Sequence, residues 1–180
     1  MSEHMKNMSS RLLRSGATAA VLSAAFLLQA QRTLYWTGAS GHWNDAAHWS
    51  PGPDGPGGAG VPRTGDAVVI AAPHGAVQVF ITDDAACGDL RVDASRNAVT
   101  VEGEERHHLE VAGDWHMTAG VRWSFDGEVV LRASTGATLD PHGAVINGDL
   151  RIDGEGPFDL MGALVLADDA ELVLQRGLLR

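Results

Sequence analysis

Two groups of histidine and carboxylate side chains have the chemistry to bind a metal ion. The first group contains His42, Asp45 and His48. Imidazole nitrogens and carboxylate oxygens are ligands that Zn²⁺ accepts readily. Their spacing matches neither an H-E-x-x-H helix nor a pair of C-x-x-C turns, which are the arrangements that specify such a site. We therefore expect these three residues to lie at the surface without a metal, and we expect no cofactor.

The second group contains His107, His108, Asp114 and His116. Successive side chains of a strand point to opposite faces, so the adjacent His107 and His108 are not expected to ligate one ion together. Calcium is an alternative, because oxygen ligands on turn aspartates suit it. The chain has neither the D-x-[DN]-x-[DN]-G loop nor the G-G-x-G-x-D repeat that bind calcium. Surface histidines are predicted here as well.

Three pairs of adjacent carboxylates raise the alternative of catalysis: Asp83-Asp84, Glu104-Glu105 and Asp168-Asp169. Enzymes that cleave glycosidic bonds use two carboxylates that flank the bond. Each pair here falls between strand-like runs, where Asp and Glu commonly solvate turns. No Lys follows Lys6, and no G-x-S-x-G motif supplies a serine nucleophile. The sequence predicts a protein that is not an enzyme.

Three tryptophans have the chemistry to bind carbohydrate, because a flat aromatic face stacks on a sugar ring. Trp36, Trp43 and Trp49 recur at short and nearly equal intervals. The other interpretation is structural, since Trp supplies a large apolar area in few residues while its N–H keeps a hydrogen bond. Such residues can fold over the end of a repeat protein and seal it. The sequence favours capping and leaves glycan contact as the alternative.

Charge and cysteine content exclude several classes of protein. The chain has 23 acidic and 13 basic residues and a net charge of -10. Nucleic acids and anionic lipid surfaces are bound through clusters of Lys and Arg, so neither is expected as a partner. Cys87 is the only cysteine. No intramolecular disulfide can form, and stability must come from packing.

The N-terminal segment 1–30 has the features of a secretory signal peptide. Basic residues precede the uncharged and mostly apolar run 17–28, which is too short to span a bilayer comfortably. Cleavage after Ala30 leaves Gln31 as the mature N-terminus. We expect residues 1–30 to direct export, and the mature chain to be secreted or held at the cell surface without a membrane span.

The mature chain divides near Gly65. Residues 31–65 combine the Trp-rich stretch with a loop over 51–65 that contains four prolines and six glycines, a composition that suits neither a helix nor a strand ladder. Over 66–180, short apolar runs alternate with Gly, Asp and Asn, as in DLRVD at 89–93. No window there has a helical period. The chain is predicted to be all-β.

A weak internal repeat indicates the kind of β fold. The hexapeptide GDLRVD at 88–93 returns as GDLRID at 148–153. With coils of roughly 20 residues, this offset equals about three coils, and 66–180 holds about five. We predict a right-handed parallel β-solenoid with a Trp-rich N-terminal cap. The alternative is a β-sandwich, whose strands recur at similar intervals.

The C-terminal end carries no recognisable cap. A strand-like run at 171–174 is followed by a predicted turn at Gly177 and by an apolar Leu-Leu-Arg ending. A solenoid hides its last coil under a polar cap, and an open apolar end invites edge pairing. We expect a longer natural chain, or else a partner such as another copy stacked end to end.

The Trp-rich stretch carries a W-x-G-x-x-G-x-W-x-x-x-x-x-W pattern on Trp36, Gly38, Gly41, Trp43 and Trp49, followed by the glycine-rich loop, Val-Pro and a strand. This opening resembles the N-terminal region of large secreted β-solenoid surface proteins of Gram-negative bacteria that use the type IX secretion route. Similar openings occur in autotransporter passenger regions. The resemblance implies a role in adhesion, gliding or matrix, and no enzyme activity. The sorting domain usual at the C-terminus of that family has no counterpart in these residues, which leaves the route unsupported.

The combined prediction is a structural or adhesive β-solenoid that is exported and not catalytic. It would serve as a stalk or glycan-contacting segment of a larger protein, with surface glycans or further copies of itself as partners. The alternative is the N-terminal part of a carbohydrate-active β-helix enzyme whose catalytic coils follow Arg180.

Overall fold

The computed structural model describes residues 31–180, and the predicted signal segment 1–30 lies outside the described residues. Strands make up 49% and helix 2% of the described residues, and the strands wind into a β-solenoid of about five turns. The prediction of an all-β parallel solenoid is therefore confirmed. The sandwich alternative is wrong, because its sheets are antiparallel, whereas successive turns here pair in parallel.

Each turn contributes strands to three faces. The first face contains β1 (Thr33–Trp36), β4 (Ala67–Ala71), β7 (Leu90–Asp93), β10 (Trp115–Met117) and β13 (Ala137–Asp140). The second contains β2 (Gly41–His42), β5 (Val77–Ile81), β8 (Val99–Gly103) and β11 (Val121–Phe125), continued by β14 (Val145–Ile146) and β16 (Val165–Leu166). The third contains β6 (Ala85–Cys87), β9 (His108–Val111) and β12 (Glu128–Leu131).

Two long strands pass from the third face to the first. The N-terminal part of β15 (Leu150–Leu160) pairs with β12, and its C-terminal part pairs with β13. β17 (Leu172–Leu179) pairs in parallel with both parts of β15, with shifts of register between Ile152 and Pro157. The predicted turn at Gly177 is therefore wrong, because the strand continues through it. Gly177 has a φ of 95°, a conformation open to glycine, and it lies between Arg176 and Leu178, where the register of β17 against β15 shifts.

The Trp-rich stretch joins the same stack. β1 pairs in parallel with β4, and β2 pairs in parallel with β5. A short 3-10 helix (Ala46–His48) follows β2 and leads into β3 (Trp49–Ser50), which pairs antiparallel with β1. The exposed edge of the first strand is thereby covered, which is how native proteins protect an open sheet.

The core is one continuous column of stacked apolar side chains. In β5, Val77, Val79 and Ile81 are buried and alternate with residues that face outward, as expected of a strand with one solvent-exposed face. The register places equivalent positions above one another, so that Leu90 pairs with Trp115 and Trp115 with Leu139. Each turn therefore buries the apolar row of the turn before it.

The offset between the two copies of the hexapeptide is not a whole number of coils. Leu90 lies on the first face, whereas Leu150, its counterpart in the repeat, lies on the third. Turns also differ in length, since the step along the chain from Leu90 to its partner Trp115 is longer than the step from Leu109 to its partner Val129. The interpretation of the repeat offset as about three coils is wrong. Corner loops of different length shift the position of a segment within its turn, so the two copies of the repeat lie on different faces. The estimate of about five turns is nevertheless confirmed.

Glycines at one corner allow successive turns to approach closely. Gly127 and Gly148 occupy the same corner one turn apart, and a Cβ added to Gly148 would overlap the carbonyl oxygen of Gly127. No side chain fits there without a backbone shift.

Among residues 31–180, no helix is long and apolar enough to cross a membrane.

Candidate functional site

The N-terminal end of the core is covered by the three tryptophans of the sequence motif. Trp36, Trp43 and Trp49 are 5%, 1% and 0% exposed. The Trp49 ring lies edge-on to both of the others at centroid distances of 5.1 Å, a favourable aromatic geometry. Its Nε1 donates to the Trp43 carbonyl at 2.6 Å. The rings face protein, as a cap requires, and Trp43 and Trp49 have no free face for a sugar.

The first histidine group is divided among three separate contacts. His42 Nδ1 lies 3.2 Å from the Thr82 hydroxyl, and Asp45 accepts a hydrogen bond from the amide of Ala47 as the cap of the 3-10 helix. The His48 ring is stacked on Trp36, with centroids 4.6 Å apart and planes 4° from parallel. These residues position the cap, and their spacing reflects that local fold.

The second group separates into two places. His108 Nδ1 lies 3.0 Å from an Asp84 carboxylate oxygen, and His107 Nδ1 lies 3.9 Å from the same oxygen. The expectation that these histidines point to opposite faces is wrong, because β9 begins only at His108. His116, on the first face, pairs with Asp140 at 2.9 Å. Within residues 31–180, no three His, Cys, Asp or Glu side chains come together in a group that could hold a metal ion.

Several aspartate side chains accept hydrogen bonds from backbone amides of the neighbouring turn. The Asp89 carboxylate accepts a hydrogen bond from the amide of Asp114 at 3.0 Å, and Asp114 accepts from the amide of Thr138 at 2.6 Å. Two other aspartates make the same kind of contact between turns, Asp84 to the amide of His108 and Asp149 to the amide of Glu171. Sequence reasoning missed this role. The signal that could have revealed it is the recurrence of Gly-Asp at 65–66, 88–89 and 113–114.

Ion pairs connect the turns along the third face. Arg132 lies 2.9 Å from Glu110 in the turn below and 3.5 Å from Asp153 in the turn above. Arg176 pairs with Asp153 from the last turn. The hydrogen bond from Arg176 lowers the pKa of Asp153 below its ordinary value, against the opposing effect of desolvation. Charges of alternating sign thus follow the stacking direction.

A related ion pair lies at the N-terminal end. Arg32 Nε donates to Asp66 at 2.7 Å, and a second guanidinium nitrogen donates to the other carboxylate oxygen at 2.8 Å. The amide of Arg63 also donates to Asp66. The Arg32 hydrogen bond is the main reason that the pKa of Asp66 lies below its usual value. This carboxylate joins the start of β1 to the end of the glycine- and proline-rich loop.

The C-terminal end presents apolar side chains to solvent. Leu150 and Ile152 are buried, whereas their register partners one turn on, Leu172 and Leu174, are 40% and 59% exposed. Leu178 is 55% exposed. We refer to Leu172 and Leu174 as the open end. These side chains belong to the last described turn and have no further turn above them within residues 31–180.

A cleft lies between the tip of the 51–65 loop and the first face. It encloses about 240 Å³, and a second cavity of about 370 Å³ adjoins it, with Trp36, Asp54 and Pro73 in the walls of both. Asp54 is one of two non-glycine residues with positive φ among those described, at 55°, and its carboxylate lies 3.2 Å from His74 Nε2. Tyr35 and Arg96 also line the smaller cavity.

Cys87 lies within the core rather than in any cleft. Its side chain is 0% exposed, and burial is the main reason that the pKa of its thiol is raised. A buried neutral thiol is a poor nucleophile, and Cys87 packs here as a small core residue.

Known proteins offer no relative from which a role for these features could be transferred. The chain matches no protein-family model, and no curated protein and no solved structure is significantly similar to it.

Proposed function

We propose that this chain is a non-catalytic structural segment of an exported surface protein, in which a stiff β-solenoid serves as an adhesive stalk. The observation that carries the proposal is the single continuous core, which extends from Leu34 to Phe158 and is sealed by tryptophans at its N-terminal end. Each turn of such a stack contacts only its neighbours, so a solenoid of this kind lengthens by adding turns without changing its cross-section. An elongated body with one sealed end suits a stalk.

The contacts between turns support stiffness. Hydrogen bonds from backbone amides to Asp89 and Asp114 link successive turns on the first face, and ion pairs through Arg132 and Arg176 link them on the third. Each contact spans one turn, so the network resists bending between neighbours. Individual surface ion pairs contribute little, but a network with fixed geometry contributes more.

The alternative of a carbohydrate-active enzyme has weaker support. Asp84 holds the amide of His108, and Glu104 pairs with Arg106 at 2.9 Å. Two of the three adjacent carboxylate pairs thus have a member with a partner inside the fold. The proposed export and surface location are supported by the predicted signal segment and by the resemblance of the Trp/Gly opening to type IX surface proteins.

Export and adhesion can be tested with one preparation. The full chain is expressed in a Gram-negative host with a C-terminal affinity tag, and the product outside the cytoplasm is sequenced from its N-terminus. We expect it to begin at Gln31. Beads coated with this product should attach to layers of Gram-negative cells more than beads coated with an unrelated acidic protein. Retention of the uncleaved chain in the cytoplasm, or attachment no better than the control, would contradict the proposal.

The same preparation distinguishes the enzyme alternative. It is incubated with plant and bacterial polysaccharides, and new reducing ends are measured. We expect none above the level of a heat-denatured sample. Release of reducing ends that follows the protein through purification would replace the stalk with the enzyme.

A further inference from the structure

The cleft beside the loop has polar groups with no partner inside the described fold. The Asp93 carboxylate forms an ion pair with Arg91 and accepts a hydrogen bond from the amide of Ser95. The exposed guanidinium of Arg96 forms no ion pair among residues 31–180. Tyr35, the only tyrosine of the chain, lines the same cavity and is half-buried. Its hydroxyl enters no hydrogen bond within the described part of the chain. An aromatic ring and free hydrogen-bonding groups therefore share one cavity.

The walls between these groups are small and apolar. Val69, Ala71, Ala72 and Pro73 form part of the lining, which leaves a shallow surface beside Tyr35. The volume of about 240 Å³ is below the range of about 300–1,000 Å³ for sites that enclose drug-sized molecules. One ring of a ligand fits such a space, and the adjoining cavity of about 370 Å³ has room for the next.

Asp54 is positioned between the two cavities. Its backbone is in the left-handed region, which Asp adopts more easily than most residues but at some energetic cost. The His74 contact holds its carboxylate at the boundary that both cavities share. A ligand that occupies both cavities must pass this acceptor, and hydroxyl groups are the donors that would satisfy it.

We propose that this cleft binds a neutral sugar, with one ring stacked on Tyr35 and with its hydroxyls hydrogen-bonded to Arg96 and Asp54. The inference rests on the proposed adhesive function and gives its ligand class. A neutral sugar is favoured over an acidic one because the single guanidinium is accompanied by the carboxylates of Asp54 and Asp93. A second ring of a disaccharide would occupy the adjoining cavity.

Saturation-transfer NMR on the full exported chain tests the proposal. The probes are glucose, galactose, mannose, N-acetylglucosamine, cellobiose and lactose, with glucuronic acid as the acidic comparison. We expect saturation transfer to at least one neutral sugar, and tighter binding of a disaccharide than of its monosaccharide by titration calorimetry. Binding of none of the neutral probes would overturn the proposal, as would tighter binding of glucuronic acid.

Variants locate the binding. Arg96→Ala and Tyr35→Ala should each weaken the affinity about tenfold or more, while Tyr35→Phe should keep most of it because the ring remains. Arg122→Ala, an exposed arginine of the second face whose Nε donates to Ser124, is the matched control and should leave the affinity unchanged. Arg96 lies in a bend between strands, so its variant is expected to fold, which the unfolding midpoint checks. Sugar binding that survives both Tyr35→Ala and Arg96→Ala would overturn the assignment.

The outcome is separable from the proposed function. If the stalk acts through its open end or another surface, bead attachment persists in Arg96→Ala although sugar binding is lost. If export or attachment fails in the unmodified chain, the stalk proposal fails whether or not the cleft binds sugar.

Discussion

At the N-terminal end of the solenoid, Trp43 and Trp49 are 1% and 0% exposed, whereas in the last described turn Leu172 and Leu174 are 40% and 59% exposed. The difference does not lie in the local strand pattern. Leu174 occupies the same inward row as Ile152, its buried register partner in the previous turn. Burial in a solenoid is supplied by the next layer, so an equivalent position is core in one turn and exposed in the last described turn.

The two ends also differ in how their strand edges are protected. β3 pairs antiparallel with β1 and covers the edge of the first face, while β17 has a partner only in β15 within the described residues. Fully burying a Leu side chain stabilises a protein by about 1.5–3 kcal/mol. Covering the open end therefore offers a partner a substantial gain, because Leu172 and Leu174 lie over the buried Leu150 and Ile152 and are themselves only partly buried.

The largest expected effect is at the sealed end. Trp49→Ala removes a fully buried ring together with its hydrogen bond to the Trp43 carbonyl, and we expect the free energy of unfolding to fall by about 3–5 kcal/mol. Urea denaturation followed by far-UV circular dichroism measures the change. A loss below about 1 kcal/mol would show that the tryptophans do not seal the core.

The next effect concerns association through the open end. Leu174→Glu places a charge among apolar side chains, and we expect self-association of the chain in sedimentation equilibrium to weaken about tenfold, or about 1.4 kcal/mol. Val145→Glu is the matched control, because Val145 is 47% exposed but lies on the second face. Equal effects of the two substitutions would mean that association does not use the open end.

A smaller effect is expected at the ion pair beside the cap. Asp66→Asn keeps the shape of the side chain but removes the charge that Arg32 contacts, and should reduce stability by about 1 kcal/mol at pH 7, since Arg32 is itself 43% exposed. Asp83→Asn, at an exposed position, should change little. Because the pKa of Asp66 is lowered in the folded state, its contribution is complete above the ordinary value near 3.8 and is lost as the pH falls through the lowered value.

Urea titrations at several pH values check the sign of this effect. The stability difference between the unmodified chain and Asp66→Asn should be largest near neutral pH and should shrink below the ordinary pKa of an aspartate. A difference that grows with acidification would be inconsistent with a carboxylate stabilised by Arg32.

The smallest effect is expected for truncation of a side chain at the open end. Leu174→Ala removes a side chain that is more than half exposed, so the free energy of unfolding of the monomer should change by less than about 0.5 kcal/mol. Urea denaturation at low protein concentration measures it, with Ile152→Ala in the same row as the buried counterpart. A cost as large as that of Ile152→Ala would show that Leu174 is covered in solution.

The all-β class, the solenoid and the number of turns could be predicted from the sequence. Alternation such as that of Leu90, Arg91 and Val92 is a local property of a strand with one buried face, and it survives in any arrangement of the turns. The Trp motif predicted a cap and left glycan contact as the alternative, and its three members, close together in the chain, are buried with Trp49 edge-on to the other two. The signal segment, the surface location and the adhesive role stay predictions.

Only the tertiary structure decided on which face each segment lies and where residues that are distant in the chain meet. Corner loops of unequal length moved the 148–153 segment onto a different face from 88–93, which a fixed period in the sequence does not reveal. Tyr35, Asp54 and Arg96 are far apart in the chain and share a cleft because the 51–65 loop folds back on the first face. Likewise, Leu172 and Leu174 carry the same apolar pattern as their buried partners Leu150 and Ile152, and they are exposed because no turn within residues 31–180 stacks on them.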